Sequence, residues 1–152
     1  AGSHLKTFQN EIELFADEFS IPIVLNTKLP ELWLDFSADI LICNRNEAGE
    51  RDICSFGAKS DRIIITCGEY GVKLINRNRI MNEFKTVASM VRDVTGAGDA
   101  FLAGVSKWIV DGKCERHCML SNEEFSAMVN NGQRASAHCV SQYGCGNPGL
   151  SR

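Results

Sequence analysis

Three stretches of the chain carry apolar residues every three or four positions, which is the spacing of an amphipathic helix. The first covers residues 5–19, and the second covers residues 97–110. The third begins at Ser121, which forms a capping-box pattern with Glu124. The apolar positions of the first stretch are Leu5, Phe8, Ile12, Phe15 and Phe19. The spacing therefore predicts one helix near the amino end of the chain and two towards its carboxyl end.

Short runs of almost only apolar residues separate the first two predicted helices. They cover residues 21–25, 38–43 and 62–67. Such runs are typical of parallel strands that are buried on both faces. A short helix is predicted over residues 30–36, because Pro30 suits its first position. After a turn at residues 68–71 the chain is predicted to return in a strand over residues 72–75 and to stay extended up to Val91.

The order of these elements indicates a layered α/β fold, since strands alternate with helices early and a strand meander and two helices follow. The first element is a helix that leads into a parallel strand. We therefore expect the sheet to need neighbouring strands beyond those of this chain. An exposed sheet edge can pair with another polypeptide, which leaves an interaction module open as one function.

Composition narrows the class of protein. Of the 152 residues, 44% are hydrophobic and 23% are charged, which is ordinary for one soluble globular domain. The formal net charge of −3 argues against a general electrostatic role on nucleic acid. No apolar run reaches the roughly 20 residues that span a bilayer, and no secretory signal is recognisable. We expect a cytoplasmic protein with no nucleic-acid or membrane partner, whose domain spans residues 5–152 after a tag-cleavage remnant at residues 1–4.

The seven cysteines are best interpreted as free thiols, because their number is odd and no Cys-x-x-Cys pair occurs. Cys114, His117 and Cys118 form a local group with metal-ligand chemistry. A structural zinc site normally has tighter paired spacing. Ordinary packing is therefore the favoured interpretation of this group, and metal binding is the alternative.

Residues 93–101 place small residues where an extended stretch meets an amphipathic helix. Gly96, Ala97 and Gly98 let backbone N–H groups approach a ligand without obstruction by side chains. The first N–H groups of a helix have no partner within the helix, and the helix dipole attracts an anion there. A phosphate fits such a place, and Asp99 beside it fits a general base for a substrate hydroxyl. The alternative is a tight turn followed by an acid that merely suits a first helical turn.

Two other phosphate-binding motifs do not fit the sequence. There is no Gly-x-x-x-x-Gly-Lys-Ser/Thr loop, and Phe101 occupies the third glycine position of the dinucleotide-binding fingerprint. Residues 93–104 instead resemble the C-terminal signature of the PfkB family, Asp-Thr-x-Gly-Ala-Gly-Asp followed by a small-residue helix. Val94 stands where threonine is commoner in that signature.

This resemblance implies both a fold and an activity. The fold would be the C-terminal, nucleotide-binding portion of a ribokinase-like layered α/β fold. The activity would be ATP-dependent phosphorylation of a hydroxyl group on a sugar or nucleoside. Asp99 would be the catalytic base, and an anion hole for the transferring phosphoryl group would be formed by Gly96, Ala97 and Gly98.

Two further segments resemble motifs of the same family, in the expected order. Asn44 and Glu47, directly after the second predicted strand, match its Asn-x-x-Glu motif, which implies that they help to hold Mg²⁺ through water. Residues 66–71 match its Thr-x-Gly-x-x-Gly turn, which lies along the nucleotide. Without the resemblance, a hairpin turn is the favoured interpretation of that segment. The nucleotide-binding residues implied here are Thr66, Gly68 and Gly71.

The last helix and the loop after it, residues 131–144, resemble the family segment that flanks the adenine. The resemblance implies that Asn131 binds the nucleotide. Family members often hold a monovalent cation such as K⁺ in this region. Asp93 and Thr95 are the residues expected to take part.

Within the family, residues 94–112 and the closing residues 147–151 are similar to pseudouridine kinases. One departure is the Asn-Thr-Lys sequence at residues 26–28, where many members have an Asp-Pro pair. The resemblance covers nearly the whole chain but only the back half of a family member, and a kinase must hold both substrates in line. Two interpretations stay open. The chain is either the C-terminal half of a working kinase, with a complementing N-terminal half, or a non-catalytic nucleotide-binding remnant. A homodimer is the form expected if the exposed sheet edge is an interaction module.

Overall fold

The computed structural model describes residues 2–33, 35–49, 60, 62–76, 79–87 and 90–142. The chain divides into two compact units. Unit 1 comprises Ala1–Phe84 and Cys114–Met119, and unit 2 comprises Lys85–Lys113 and Leu120–Arg152. Residues 147–151, which resemble pseudouridine kinases, lie outside the described residues.

Unit 1 is built on a five-stranded sheet whose strands lie in the order in which they occur along the chain. The first three strands run parallel to one another, and the last two are antiparallel to their neighbours. The strands are β1 (Val24–Asn26), β2 (Ile40–Asn44), β3 (Arg62–Thr66), β4 (Val72–Asn76) and β5 (Arg79–Phe84). Together with the helices, they form the mixed α/β arrangement that the sequence predicts.

The core of unit 1 lies on β2 and β3. Their apolar residues are buried without alternation, as expected for parallel strands covered on both faces. One buried cluster joins the two strands to β4 and to a short helix, and Leu25 of β1 packs against it only in part. The members of this cluster are Leu41, Cys43, Ala48, Ile63, Ile65, Cys67 and Ile75.

The amino-terminal helix of unit 1, α1 (Gly2–Glu18), packs on a different face from the one its apolar spacing suggests. Gln9 and Ala16 are buried in it, whereas Phe8, Phe15 and Phe19 are more than half exposed. Polar contacts fix this orientation, because the Gln9 amide donates to the Leu32 carbonyl. The further described helical segments of unit 1 are the 3₁₀ helices Pro30–Trp33 and Gly68–Tyr70 and the short helix α2 (Arg45–Ala48).

The segment Cys114–Met119 is held in unit 1 by a buried arginine. The guanidinium of Arg116, 3% exposed, donates to carboxylate oxygens of Asp17 and Asp39. The carboxylate of Asp39 also accepts the backbone N–H groups of Ile23 and His117. The hydrogen bond from Arg116 lowers the pKa of Asp17. These contacts join the end of α1 and the start of β1 and β2 to a segment more than 70 residues away in sequence.

No group of three or more metal-ligating side chains is placed to hold an ion within the described ranges. The imidazole of His117 lies 3.3 Å from an oxygen of Asp17. Cys114 and Cys118 are free thiols. The contacts described for this segment are thus packing and polar contacts within unit 1.

Unit 2 contains two packed helices, α3 (Ala97–Asp111) and α4 (Asn122–Val140). The capping box predicted at Ser121 and Glu124 is confirmed at the start of α4. The two helices approach closely because glycines lie at their contact. A Cβ atom on Gly104 would lie 2.8 Å from the backbone oxygen of Asn131, and one on Gly132 would lie 2.9 Å from the ring of Phe101. Across the described parts of the chain, no helix combines the length and apolar character that crossing a membrane requires.

Candidate functional site

The start of α3 offers backbone donors to a ligand. Gly96, the residue before the helix, has a left-handed backbone with φ of 78°, which favours glycine. The N–H of Ala97 donates to the Val94 carbonyl at 3.2 Å. Among the described residues, the N–H groups of Gly98 and Asp99 have no hydrogen-bond partner. Free donors at the positive end of a 15-residue helix attract an anion.

The space at this helix start agrees with that role, whereas the charge of Asp99 opposes it. A Cβ atom on Gly98 would meet nothing within 4 Å, so the backbone there is open on its outer side. Asp99 is exposed in the first turn of the helix. The described part of unit 2 thus places one carboxylate next to free N–H groups, which is an arrangement for accepting a proton beside a bound anion.

The loop before α3 is attached to the end of α4. The carbonyl of Val140 accepts the N–H groups of Arg92, at 2.7 Å, and Asp93, at 3.3 Å. The thiol of Cys139 lies 3.5 Å from the carbonyl of Thr95. The side chain of Asp93 turns back to accept the Thr95 N–H at 2.9 Å. Sequence reasoning missed the part played by Cys139 and Val140, because the contacts join residues more than 40 positions apart.

Asp93 and Thr95, the residues expected at a cation site, are therefore brought together beside the carboxyl end of α4. A helix of this length carries partial negative charge at that end, which favours a cation. The Asp93 carboxylate and the carbonyls of the loop are oxygen ligands of the kind that K⁺ takes. The arrangement is compatible with a cation, although both residues also serve to hold the loop.

In unit 1, Asn44 and Glu47 form a reciprocal capping box at the start of α2. The Asn44 side chain accepts the Glu47 N–H at 2.9 Å, and the Glu47 carboxylate accepts the Asn44 N–H at 2.8 Å. Burial and then the nearby Glu47 carboxylate raise the pKa of the Cys43 thiol to about 12. Only one carboxylate oxygen of Glu47 takes part in the box, so the other is left for a cation or its water.

Thr66 lies beside this pair, because β2 and β3 are parallel and Asn44 is in register with Thr66. A carboxylate, an amide and a hydroxyl thus lie together at the carboxyl-terminal end of two adjacent parallel strands. Ligands of α/β sheets bind at such ends.

Gly68 and Gly71 lie in the connection between β3 and β4, where Gly68–Tyr70 forms a 3₁₀ turn. Both glycines have positive φ, of 58° and 95°. The N–H of Cys67 donates to the Gly71 carbonyl at 2.7 Å, and the N–H of Gly71 donates to the Gly68 carbonyl. The segment is thus a hairpin connection, as the spacing alone predicts. The same backbone conformation would also serve a segment that lies along a nucleotide.

Asn131 occupies the contact between α3 and α4. Its side-chain amide donates to the carbonyl of Gly104 at 2.8 Å. The side chain expected to bind a nucleotide thus also holds the helix pair together. Two residues further on, Gln133 is buried and donates to the Lys85 carbonyl, and its side-chain oxygen has no partner within the described residues.

Comparison with protein families gives one match that covers most of the chain. A family described as "pfkB family carbohydrate kinase" matches residues 16–151. Among curated proteins, the bifunctional protein HldE of Haemophilus influenzae strain PittGG is 29% identical over 133 residues. That alignment covers 78% of this chain and 28% of HldE.

Solved structures share the fold at lower identity. Aminoimidazole riboside kinase from Salmonella enterica, in complex with aminoimidazole riboside and an ATP analogue, has a TM-score of 0.66 and 21% identity. A fructokinase double mutant from Vibrio cholerae O395, in the fructose, ADP and potassium ion bound form, has a TM-score of 0.57 and 20% identity. The matches cover 81% and 71% of this chain and 47% and 36% of the two kinases. The chain thus spans less than half the length of the relatives that it matches.

Proposed function

The chain belongs to the pfkB family of carbohydrate kinases, and from this membership we propose that it carries the nucleotide-binding and catalytic part of a kinase that phosphorylates a sugar or nucleoside hydroxyl with ATP. The observation that supports this most directly is the start of α3. There, free N–H groups and open space at Gly98 lie next to the exposed carboxylate of Asp99. The proposed phosphoryl transfer takes place at this helix start.

In this proposal Asp99 accepts the proton of the acceptor hydroxyl as the oxygen attacks the phosphoryl group. The backbone around Gly96, Ala97 and Gly98 stabilises the negative charge of the transferring group. Because the N–H of Ala97 already donates to Val94, the described donors that remain at this turn are the N–H groups of Gly96, Gly98 and Asp99. Phosphoryl transfer depends mostly on such positioning and charge stabilisation.

The replacement Gly98→Ala separates the anion hole from the stability of the fold. An added Cβ meets no atom within 4 Å, and alanine favours a helix over glycine by up to about 1 kcal/mol. We expect an unchanged or raised melting temperature together with ATP affinity weakened about tenfold, because the methyl group lengthens the N–H contacts to phosphate. Calorimetric titration with MgATP measures this. The control is Gly112→Ala at the other end of α3. Equal ATP affinities of the two variants would refute the proposed anion hole.

For unit 1, we propose that Glu47 and Asn44 hold Mg²⁺ through water and that Thr66, Gly68 and Gly71 lie along the nucleotide. When bound, Mg²⁺ would neutralise charge on the phosphates. The capping box orients the Glu47 carboxylate before any ion binds, and one oxygen stays available. Asn131 is proposed to flank the adenine from the α3–α4 contact.

Glu47→Gln is expected to keep the fold and to weaken Mg²⁺ binding. Glutamine also closes a capping box, so the melting temperature should not change. The loss of the charge should raise the Mg²⁺ concentration that ATP binding requires by about 10- to 100-fold. The matched control is Glu124→Gln, which alters the other capping box, at α4. If both variants need the same Mg²⁺ concentration, Glu47 serves the helix start alone.

We also propose that K⁺ binds where Asp93 and Thr95 meet the end of α4. Two observations support it: the attachment of this loop to the Val140 carbonyl, and the potassium ion in the related fructokinase. The five free cysteines of the described residues suit a protein of the reducing cytoplasm.

The acceptor is proposed to be a nucleoside, with pseudouridine first, on the resemblance of residues 94–112. The nucleoside-like ligand of the Salmonella relative lends support. The test is phosphoryl transfer from MgATP by the purified chain to pseudouridine, other nucleosides and simple sugars. We expect transfer to one nucleoside above all others. Transfer to sugars alone would show that the acceptor is a sugar and not a nucleoside. Failure to bind ATP would refute the kinase assignment.

A second function is supported by the coverage of the relatives. The chain spans 28% of HldE and 47% of aminoimidazole riboside kinase. A nucleotide-binding module without its acceptor half would bind MgATP and transfer nothing. A homodimer or a complementing N-terminal half would then be the form that works.

A further inference from the structure

The loop that leads into α3 contains a peptide group whose two ends point to different sides. The Thr95 carbonyl and the Gly96 N–H belong to this one peptide plane, and no peptide bond in the described part of the chain is cis. In a planar trans peptide the C=O and the N–H point in opposite directions. The direction of the Thr95 carbonyl therefore decides the direction of the Gly96 N–H.

A thiol of α4 holds this carbonyl. Cys139 lies in the last turn of α4, and its Sγ donates to the Thr95 carbonyl at 3.5 Å. The half-buried thiol thus directs the carbonyl towards the end of α4, and the Gly96 N–H points to the opposite side. That N–H has no hydrogen-bond partner among the described residues, so it is available to a ligand.

The peptide group depends on such a contact because a glycine follows it. A peptide plane turns by paired changes in ψ of the residue before it and φ of the residue after it. Glycine adopts positive and negative φ about equally well, so Gly96, observed at φ of 78°, does not by itself prevent the rotation. The hydrogen bond from the Thr95 N–H to the Asp93 carboxylate belongs to the preceding peptide group and does not fix this one.

The orientation of this peptide adds a third donor to the start of α3. The N–H groups of Gly98 and Asp99 are free in the first helical turn, and the Gly96 N–H precedes them. Successive backbone N–H groups around a left-handed residue form a concave site for an anion. Donors that are oriented before charge develops stabilise a transition state at no further cost of reorganisation.

We propose that Cys139 is a positioning residue of the phosphoryl-transfer site. Its thiol holds the peptide group between Thr95 and Gly96 so that the Gly96 N–H faces the transferring phosphoryl group, together with the free N–H groups of the first helical turn. The inference rests on the proposed kinase function and adds to it a side chain that touches neither substrate. A carbonyl oxygen has two lone pairs, so the thiol leaves one of them for the K⁺ proposed at this loop.

The first test follows backbone amides by NMR in the ¹⁵N-labelled chain while MgATP is added. In the unaltered chain the amide protons of Gly96, Gly98 and Asp99 are expected to move downfield, as donors to a charged acceptor do. In Cys139→Ala the downfield shift of Gly96 is expected to be largely lost, because its peptide group is then free to turn. Alanine is the best helix former, so α4 is kept.

The matched control is Ser126→Ala, which removes a side chain that donates to a backbone carbonyl elsewhere on α4. It is expected to leave all three amide shifts unchanged. An equal Gly96 shift in Cys139→Ala and in the unaltered chain would overturn the inference, while shifts of Gly98 and Asp99 would leave the kinase proposal standing. If MgATP moves none of the three amides, the proposed anion hole is refuted and this inference with it.

Kinetics at saturating KCl, on whichever form of the protein transfers phosphate, separate positioning from a structural role. Cys139→Ala is expected to lower kcat about tenfold with an unchanged KM for MgATP, which is less than the roughly 100-fold or more that follows the loss of a whole donor. Cys139→Ser is expected to recover part of kcat, because its hydroxyl is also a donor. A serine variant no faster than the alanine variant would overturn the inference. So would a defect that is present at low KCl and vanishes at saturating KCl, since the thiol would then serve the cation.

Discussion

Asp99→Asn is expected to lower phosphoryl transfer from MgATP by a factor of about 100 to 10,000, the usual contribution of a general base. Asparagine keeps the size of the side chain and loses the ability to accept the proton of the acceptor hydroxyl. Since Asp99 is exposed in the first turn of α3, the replacement should leave the fold intact. ATP affinity should change little or rise, because a negative charge beside the phosphate is removed.

The pattern of effects identifies the role. Loss of kcat with unchanged ATP binding is the signature of a group that acts in the transition state. The matched control is Asp111→Asn, which alters an exposed aspartate at the other end of the same helix, where it pairs with Lys107. The assay uses the chain alone or its complex with the complementing half, whichever transfers phosphate. Equal turnover by Asp99→Asn and the unaltered protein would refute the assignment.

Arg116→Met is expected to destabilise unit 1 by about 3 kcal/mol, because removal of one partner of a buried ion pair leaves the other charge uncompensated. The charge left behind is the Asp39 carboxylate, which is only 11% exposed. Methionine fills much of the same volume, so the loss reports on charge and hydrogen bonding. A domain is stable by only about 5–15 kcal/mol, so the effect is a large fraction of the total.

Urea unfolding followed by fluorescence of Trp33 in unit 1 measures this change, in a Trp108→Phe background that leaves one tryptophan. The control is Arg134→Met on the exposed side of α4, which should alter stability by no more than about 0.5 kcal/mol. Adding Asp39→Asn to Arg116→Met should recover part of the loss, since the buried charge is then gone. Equal midpoints for the two arginine variants would show that the ion pairs of Arg116 contribute nothing.

The elements of the fold follow from local patterns. Helical spacing predicts α1, α3 and α4, and short apolar runs predict the parallel strands, because secondary structure depends on residues within a few positions of one another. The capping box at Ser121 follows from two residue types three positions apart. Boundaries are less well determined. The first strand was predicted at residues 21–25 and is observed at Val24–Asn26, because the pairing with β2 begins only there.

The candidate site follows in part from the sequence. Glycines at residues 96 and 98 and the acid between them and the helix body indicate a phosphate site, and the left-handed backbone of Gly96 agrees with its residue type. The reciprocal hydrogen bonds of Asn44 and Glu47 were not predicted, although their spacing is that of a capping box. The contact of Asn131 with Gly104 was not predicted either, because it depends on how closely two helices approach.

The sequence by itself determined the α/β class, the order of helices and strands and the glycine-containing turn before α3, since each of these depends on short-range spacing and on residue type. Only the tertiary structure decided which face of α1 is buried, what Arg116 pairs with and how the loop of Asp93 is attached to Val140. These contacts join residues about 20 to 100 positions apart. The free energy of such a contact depends on distance and burial in three dimensions. The sequence pattern does not identify the partners, because it would be the same if these residues contacted others.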